Sequence, residues 1–232
     1  MLRTFLLATA LAILPVQAAT AQPAATQATA AAVGEQDAAL AAFFDDLDKR
    51  QLAMSPQAKT YRGIRDADYG RWTDGSPAAE EARYRLGQDA RAEMKRRFDP
   101  AKLSPQSALS YRLFDYQMER QARAWPNRHY RYTFDQMNGA QSQVPAFLIN
   151  IHGVSNKAEA EAYVQRLKGV GAVLDQAIAD SAASEKKGVV PPRWTFPYVL
   201  ADITNITTGA PFTDGPDSAL YADLKAKVGK LD

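Results

Sequence analysis

The chain has 232 residues, of which 46% are hydrophobic and 23% charged, close to globular averages, so a buried core is expected and wholesale disorder is not. A net charge of +2 is too small to make nucleic acid the leading partner. Cysteine is absent, which excludes a disulfide framework and any thiolate metal site.

Arg3 opens a short positive start, and Phe5 to Leu14 is an apolar run of ten residues. Pro15 breaks the run, and Ala19-Thr20-Ala21 supplies a small-x-small pattern before Gln22. This is the layout of a secretory signal peptide over residues 1–21. The run is shorter than the roughly 20 apolar residues a bilayer crossing takes. A periplasmic or secreted location follows, with no membrane anchor after signal cleavage. Residues 22–34 are Ala, Thr, Gln and Pro with no large apolar group before Val33, and read as a flexible tether. The helical domain is expected over residues 35–232.

Leu40, Phe43, Phe44 and Leu47 fall at the spacing of one helix face, predicting a helix over Gln36 to Met54 that Ser55-Pro56 ends. Thr60 to Gly75, rich in glycine and aromatics, reads as an ordered loop. Ser76-Pro77 and Ser104-Pro105 each look like an N-cap followed by proline in the first turn. They open helices to about Phe98 and about Trp125. The second of these carries Leu109, Leu113 and Tyr116 on one side and Tyr111, Phe114 and Met118 around it. So wide an apolar arc predicts a central place in a bundle.

Asn127 to Gly153 has no clean helical period; Tyr130 to Phe134 could be a short strand, and Phe147 to Ile151 is an apolar run of undecided type. Asn156 with Glu159 resembles a capping box. The helix behind it carries Ala160, Tyr163, Leu167, Val170, Leu174 and Ala177 on one face, and Lys186-Lys187-Gly188 stops it. Gly169 and Gly171 on this helix read as small residues that permit close packing. The cluster Arg193 to Tyr198 reads as the packed seam of a turn, though it could line a pocket. A short helix is expected over Tyr198 to Ile206 and a last one from near Asp217, with Leu220, Leu224 and Val228 inward. The fold class is therefore all-α: a bundle of about six helices with irregular loops.

Only His129 and His152 could offer imidazole ligands, and neither has a second His, Asp or Glu one helical turn away. A catalytic zinc needs three or four protein ligands in a compact set, so both histidines read as loop or packing residues. There is no His-Glu-x-x-His, no Gly-x-Ser-x-Gly elbow and no phosphate-binding glycine loop. Arginines between Arg83 and Arg131 alternate with aromatics, but Glu80, Glu81, Asp89, Glu93, Asp115 and Glu119 are interspersed, which favours solvated helix faces over nucleic-acid binding. No catalytic, cofactor-binding or metal-ligating residue is assigned.

The segments SPQAKTYRGIRDADYGRWTD, LSPQSALSYRLFDYQMERQ, MNGAQSQVPAFLINIHGV and EAYVQRLKGVGAVLDQAIADS, with the exit KKGVVPPR, resemble the N-terminal part of the bacterial domain of unknown function 885 family. The resemblance runs from about Leu40 to Asp232. It implies exported helical proteins similar to zinc metallopeptidases of the carboxypeptidase and angiotensin-converting-enzyme type, longer than this chain, with peptide substrates. In that family the zinc-binding His-Glu-x-x-His lies in the C-terminal half, so no ligand carries over onto this sequence. The resemblance implies an N-terminal fragment, truncated at the C-terminus, whose isolated chain is inactive. The alternative is a stand-alone exported helical binding module, using the Ser104 to Trp125 helix or the cluster at 193–198.

Overall fold

A computed structural model describes residues 24–231 of the chain, with side chains from residue 32 onward. The described residues form eight α-helices: α1 (Ala24–Ala53), α2 (Pro56–Tyr61), α3 (Pro77–Arg97), α4 (Pro105–Ala124), α5 (Ala140–Asn150), α6 (Lys157–Glu185), α7 (Phe196–Thr207) and α8 (Ala219–Val228). The only extended pairing among them is a single bridge between Ala210 and Asp217, so the all-α class holds. The expected signal segment at 1–21 lies outside the described residues.

Three Ser-Pro pairs start helices by one mechanism. The hydroxyls of Ser55, Ser76 and Ser104 accept the amide hydrogens of Ala58, Ala79 and Ser107 at 3.4, 3.3 and 3.3 Å. Proline follows at the position whose N–H has no intrahelical partner. Ser55-Pro56 thus both closes α1 and opens the two-turn α2, which shortens the expected loop. Replacing Ser104 by alanine should lower stability by about 1 kcal/mol, read as a shift in the urea midpoint without a change in slope.

Helix α1 begins at Ala24, within the stretch expected to be a tether at 22–34. Alanine is the strongest helix former, and a run of it can extend a helix without any apolar anchor. Among the side chains described, burial begins at Leu40. From there Leu40, Phe43 and Leu47 pack on Ala90 and Met94 of α3 and on Ala108 and Tyr111 of α4, with Phe98 and Leu103 closing the end. Gly87 lets α3 and α4 approach, since a Cβ there would lie 2.8 Å from the Met118 sulfur.

Helix α4 is not central. Only Ala108 and Tyr111 are buried, while Leu109, Leu113 and Tyr116 are 42%, 50% and 53% exposed. Its neighbours α1 and α3 cover one side, and the rest of the apolar arc faces solvent.

The expected strand at Tyr130 to Phe134 is a run of turns and bends, because no neighbouring strand offers a ladder. The Asp135 carboxylate accepts the amides of Met137 and Asn138, both at 2.6 Å, and turns the chain into α5. Two breakers disguised α5 in the sequence: Gly139 stands at its N-cap and Pro145 lies inside it. Burial of Val144, Phe147 and Leu148 overrides them.

Helix α6 starts as expected, with the Asn156 side chain accepting the Glu159 amide at 3.0 Å. The Glu159 carboxylate reaches the Ser155 amide at 2.7 Å, not the cap residue's own. Gly169 seats the Trp72 ring, whose Cδ1 would lie 2.9 Å from an added Cβ; Gly171 faces open space, so the packing role expected of it is not met. Helix α8 turns Leu220 and Leu224 inward only partly, and Val228 is 42% exposed. Polar ties hold it instead. Lys227 Nζ donates to the carbonyls of Leu148 and Ile149 at 2.7 and 2.9 Å, where the C-terminus of α5 favours a cation.

Candidate functional site

Two features stand out where the second half of the chain packs. The first is an apolar trough of about 600 Å³ between α5, α6 and α7, the size of a small-ligand or side-chain pocket. Val144 of α5, Val170, Leu174 and Ile178 of α6, and Val199 and Ile203 of α7 form its walls. Their helical spacing explains the wall: the i, i+4, i+8 residues of α6 face the i, i+4 residues of α7. Glu185 is the one ionisable side chain in the lining. Gln141 closes one end, its amide donating to the Asp135 carbonyl at 2.6 Å and to the Asp202 carboxylate at 3.1 Å. The trough can hold aliphatic or aromatic groups, but it contains no acid–base pair.

The cluster at 193–198 borders this trough rather than forming a buried seam. Thr195 is buried and Phe196 lines the cavity, whereas Trp194, Phe196 and Tyr198 are 58%, 48% and 59% exposed.

The second feature is a buried arginine. Arg166 is 0% exposed and, among the described residues, pairs with no carboxylate. Its Nε donates to the Arg71 carbonyl at 3.1 Å and one terminal nitrogen to Thr60 Oγ1 at 2.8 Å. The other donates to His152 Nδ1 at 2.8 Å. Aromatic faces supply what a carboxylate would: the guanidinium carbon lies 4.8, 5.2 and 5.9 Å from the rings of Phe147, Tyr69 and Trp72. Burial pulls the Arg166 pKa down to about 10, which leaves it charged at neutral pH.

The arginine fixes the state of His152. A guanidinium can only donate, so Nδ1 is the acceptor and the proton sits on Nε2, which donates to the Glu159 carbonyl at 3.2 Å. Burial, with smaller contributions from the Arg166 and Lys227 charges, lowers the His152 pKa to about 4. His152 is therefore a packing histidine with both nitrogens engaged. His129, half-buried in the turns after α4, does not join it. Among the described residues no three His, Asp or Glu side chains gather closely enough to hold a metal ion.

Around this hub Tyr163 donates to the Asp223 carboxylate at 2.8 Å, and Asp223 pairs with Lys227 at 2.8 Å. Burial first, and the hydrogen bond to Asp223 second, raise the Tyr163 hydroxyl well above its usual range. No sequence motif singles out Arg166. Its position three residues after Tyr163, on the buried side of α6, is the signal that could have found it.

A second groove, about 620 Å³ and lined by both polar and apolar groups, runs between the loop at 70–76 and α6. Its charges are spent internally: Arg131 pairs with Asp180 at 3.2 Å, and Arg83 donates to the Asp74 carbonyl at 2.7 Å.

Fold and site together define an all-α protein organised around a buried arginine and an apolar trough. The chain belongs to the family described as bacterial protein of unknown function (DUF885), whose model matches residues 56–232. No curated protein and no solved structure gives a significant match to it. No helix among the described residues is long and apolar enough to cross a membrane.

Proposed function

We propose that this chain is the N-terminal scaffold of an exported, zinc-metallopeptidase-like hydrolase, and that the trough between α5, α6 and α7 is the wall against which apolar side chains of a peptide substrate lie. The trough carries the reading: it is large, predominantly apolar, and lies beside the exposed rings of Trp194 and Tyr198. The hydrolytic zinc and its ligands would come from sequence beyond this chain, where the metal would activate water and polarise the scissile carbonyl. In this reading the N-terminal segment directs export and the protein works in the periplasm or outside the cell.

The expected result is that the purified chain, supplied with zinc, gives no peptidase turnover, yet binds peptides with large apolar side chains. Leu174→Asp should weaken that binding about tenfold or more, by placing a carboxylate in the trough. Robust zinc-dependent cleavage by this chain would refute the scaffold role, and binding indifferent to Leu174→Asp would refute the wall. The exposed aromatics at 194–198 favour a second reading, a stand-alone exported binding module; peptide binding in which Trp194→Ala has a larger effect than Leu174→Asp would support it.

A further inference from the structure

Helix α4 carries two seams. The inner one, with Ala108, Tyr111, Asp115 and Met118, packs against α1 and α3: Ala108 and Tyr111 are buried, Asp115 pairs with Arg91 at 2.6 Å, and Met118 lies against Gly87. The outer one is Leu109, Leu113, Tyr116, Arg120 and Arg123, spaced by four, three, four and three residues. That is the rhythm of a coiled-coil seam. All five residues are exposed.

The outer seam changes character along its length. Its first turns are apolar, with Arg112 flanking them beside Leu113, and its end carries Arg120 and Arg123. Of the carboxylates of α4, Asp115 is committed to Arg91 and Lys95, and Glu119 is shared between Arg91 and the seam's own Arg123, 3.7 Å from each. Arg112 and Arg120 have no ion-pair partner among the described residues. Arg120, Arg123 and Gln117 line a shallow depression at the basic end.

We propose that the outer seam of α4 docks an amphipathic helix of a partner protein, aliphatic along one half of its own seam and carboxylate-bearing along the other. Charge complementarity selects the carboxylates, and the heptad spacing selects a helix. An apolar stripe one side chain wide suits knobs-into-holes packing, whereas an interfacial bilayer helix presents a broad apolar face. The proposal is independent of the trough, which is built from other helices.

The test uses the full chain and two synthetic helical peptides of about three heptads. Both carry leucine on the first half of the seam; the second half bears glutamate in one and lysine in the other. The glutamate peptide is expected to bind and the lysine peptide to bind at least about tenfold more weakly. Leu113→Asp should abolish the complex, and Arg120→Glu should move the preference toward the lysine peptide. Both variants alter exposed positions, and an unchanged circular dichroism spectrum and urea midpoint verify their fold. Equal binding of the two peptides, binding of neither, indifference to Leu113→Asp, or capture by anionic phospholipid vesicles in place of the glutamate peptide would each overturn the proposal.

Discussion

Replacing Arg166 by alanine is expected to cost about 3–5 kcal/mol of stability, the largest effect of any single substitution considered for this chain. Three acceptors lose their donor at once: the Arg71 carbonyl, Thr60 Oγ1 and His152 Nδ1, the last two on buried residues. The cavity left among Tyr69, Trp72 and Phe147 adds to the loss. Arg166→Met separates the two contributions. It refills much of the volume and removes a buried charge that no carboxylate neutralises, so it should cost less, about 1–3 kcal/mol. Urea denaturation of both variants measures the difference. An alanine variant within about 1 kcal/mol of the parent would mean that the guanidinium does not hold this region together.

Acid should destabilise the protein well before its carboxylates protonate. His152 in the unfolded chain titrates near the ordinary value of about 6.5, whereas in the folded chain it titrates at about 4. Between those values the unfolded state binds a proton that the folded state refuses. Stability is therefore fully present above about pH 6.5 and falls as the pH drops toward 4, by ~3 kcal/mol in all. The structural reason is geometric: protonating Nδ1 would set a second cation 2.8 Å from the Arg166 guanidinium. The carboxylates held low by basic partners, such as Asp68 beside Lys59 and Asp48 beside Arg62, lose their contribution only at lower pH. Urea midpoints at pH 7.5, 6, 5 and 4 on the parent and on His152→Gln isolate the histidine. Glutamine can still accept from Arg166 but cannot charge, so its profile should be nearly flat across this window; an unchanged slope would assign the acid sensitivity elsewhere.

Much of the helical framework was legible because its signals are local. Serine before proline marks a helix start through one side-chain hydrogen bond and one pre-set dihedral, and it did so at Ser76 and Ser104. Ser55-Pro56 showed the limit of that rule, since the same pair ends one helix and begins another. Helix α5 was hidden because Gly139 and Pro145 are breakers by propensity, and only long-range burial of Phe147 and Leu148 outweighs them. The outward face of α4 was misplaced for the opposite reason. Apolar periodicity reports that a face wants a partner, but not whether this chain supplies one. The trough is a product of three helices distant in sequence, so no short motif encodes it. Arg166 required knowing that three aromatic rings converge on one point, which is a property of the fold and not of any window of residues.

The position of Arg166 has a consequence for how the molecule comes apart. One guanidinium touches α2 through Thr60, the following loop through Arg71, the exit of α5 through His152, and belongs itself to α6. Helix α2, the loop that follows it and the exit of α5 are thereby fastened to α6 at a common rivet. None of the three can part from α6 without leaving that charge short of a partner, so they are expected to open together.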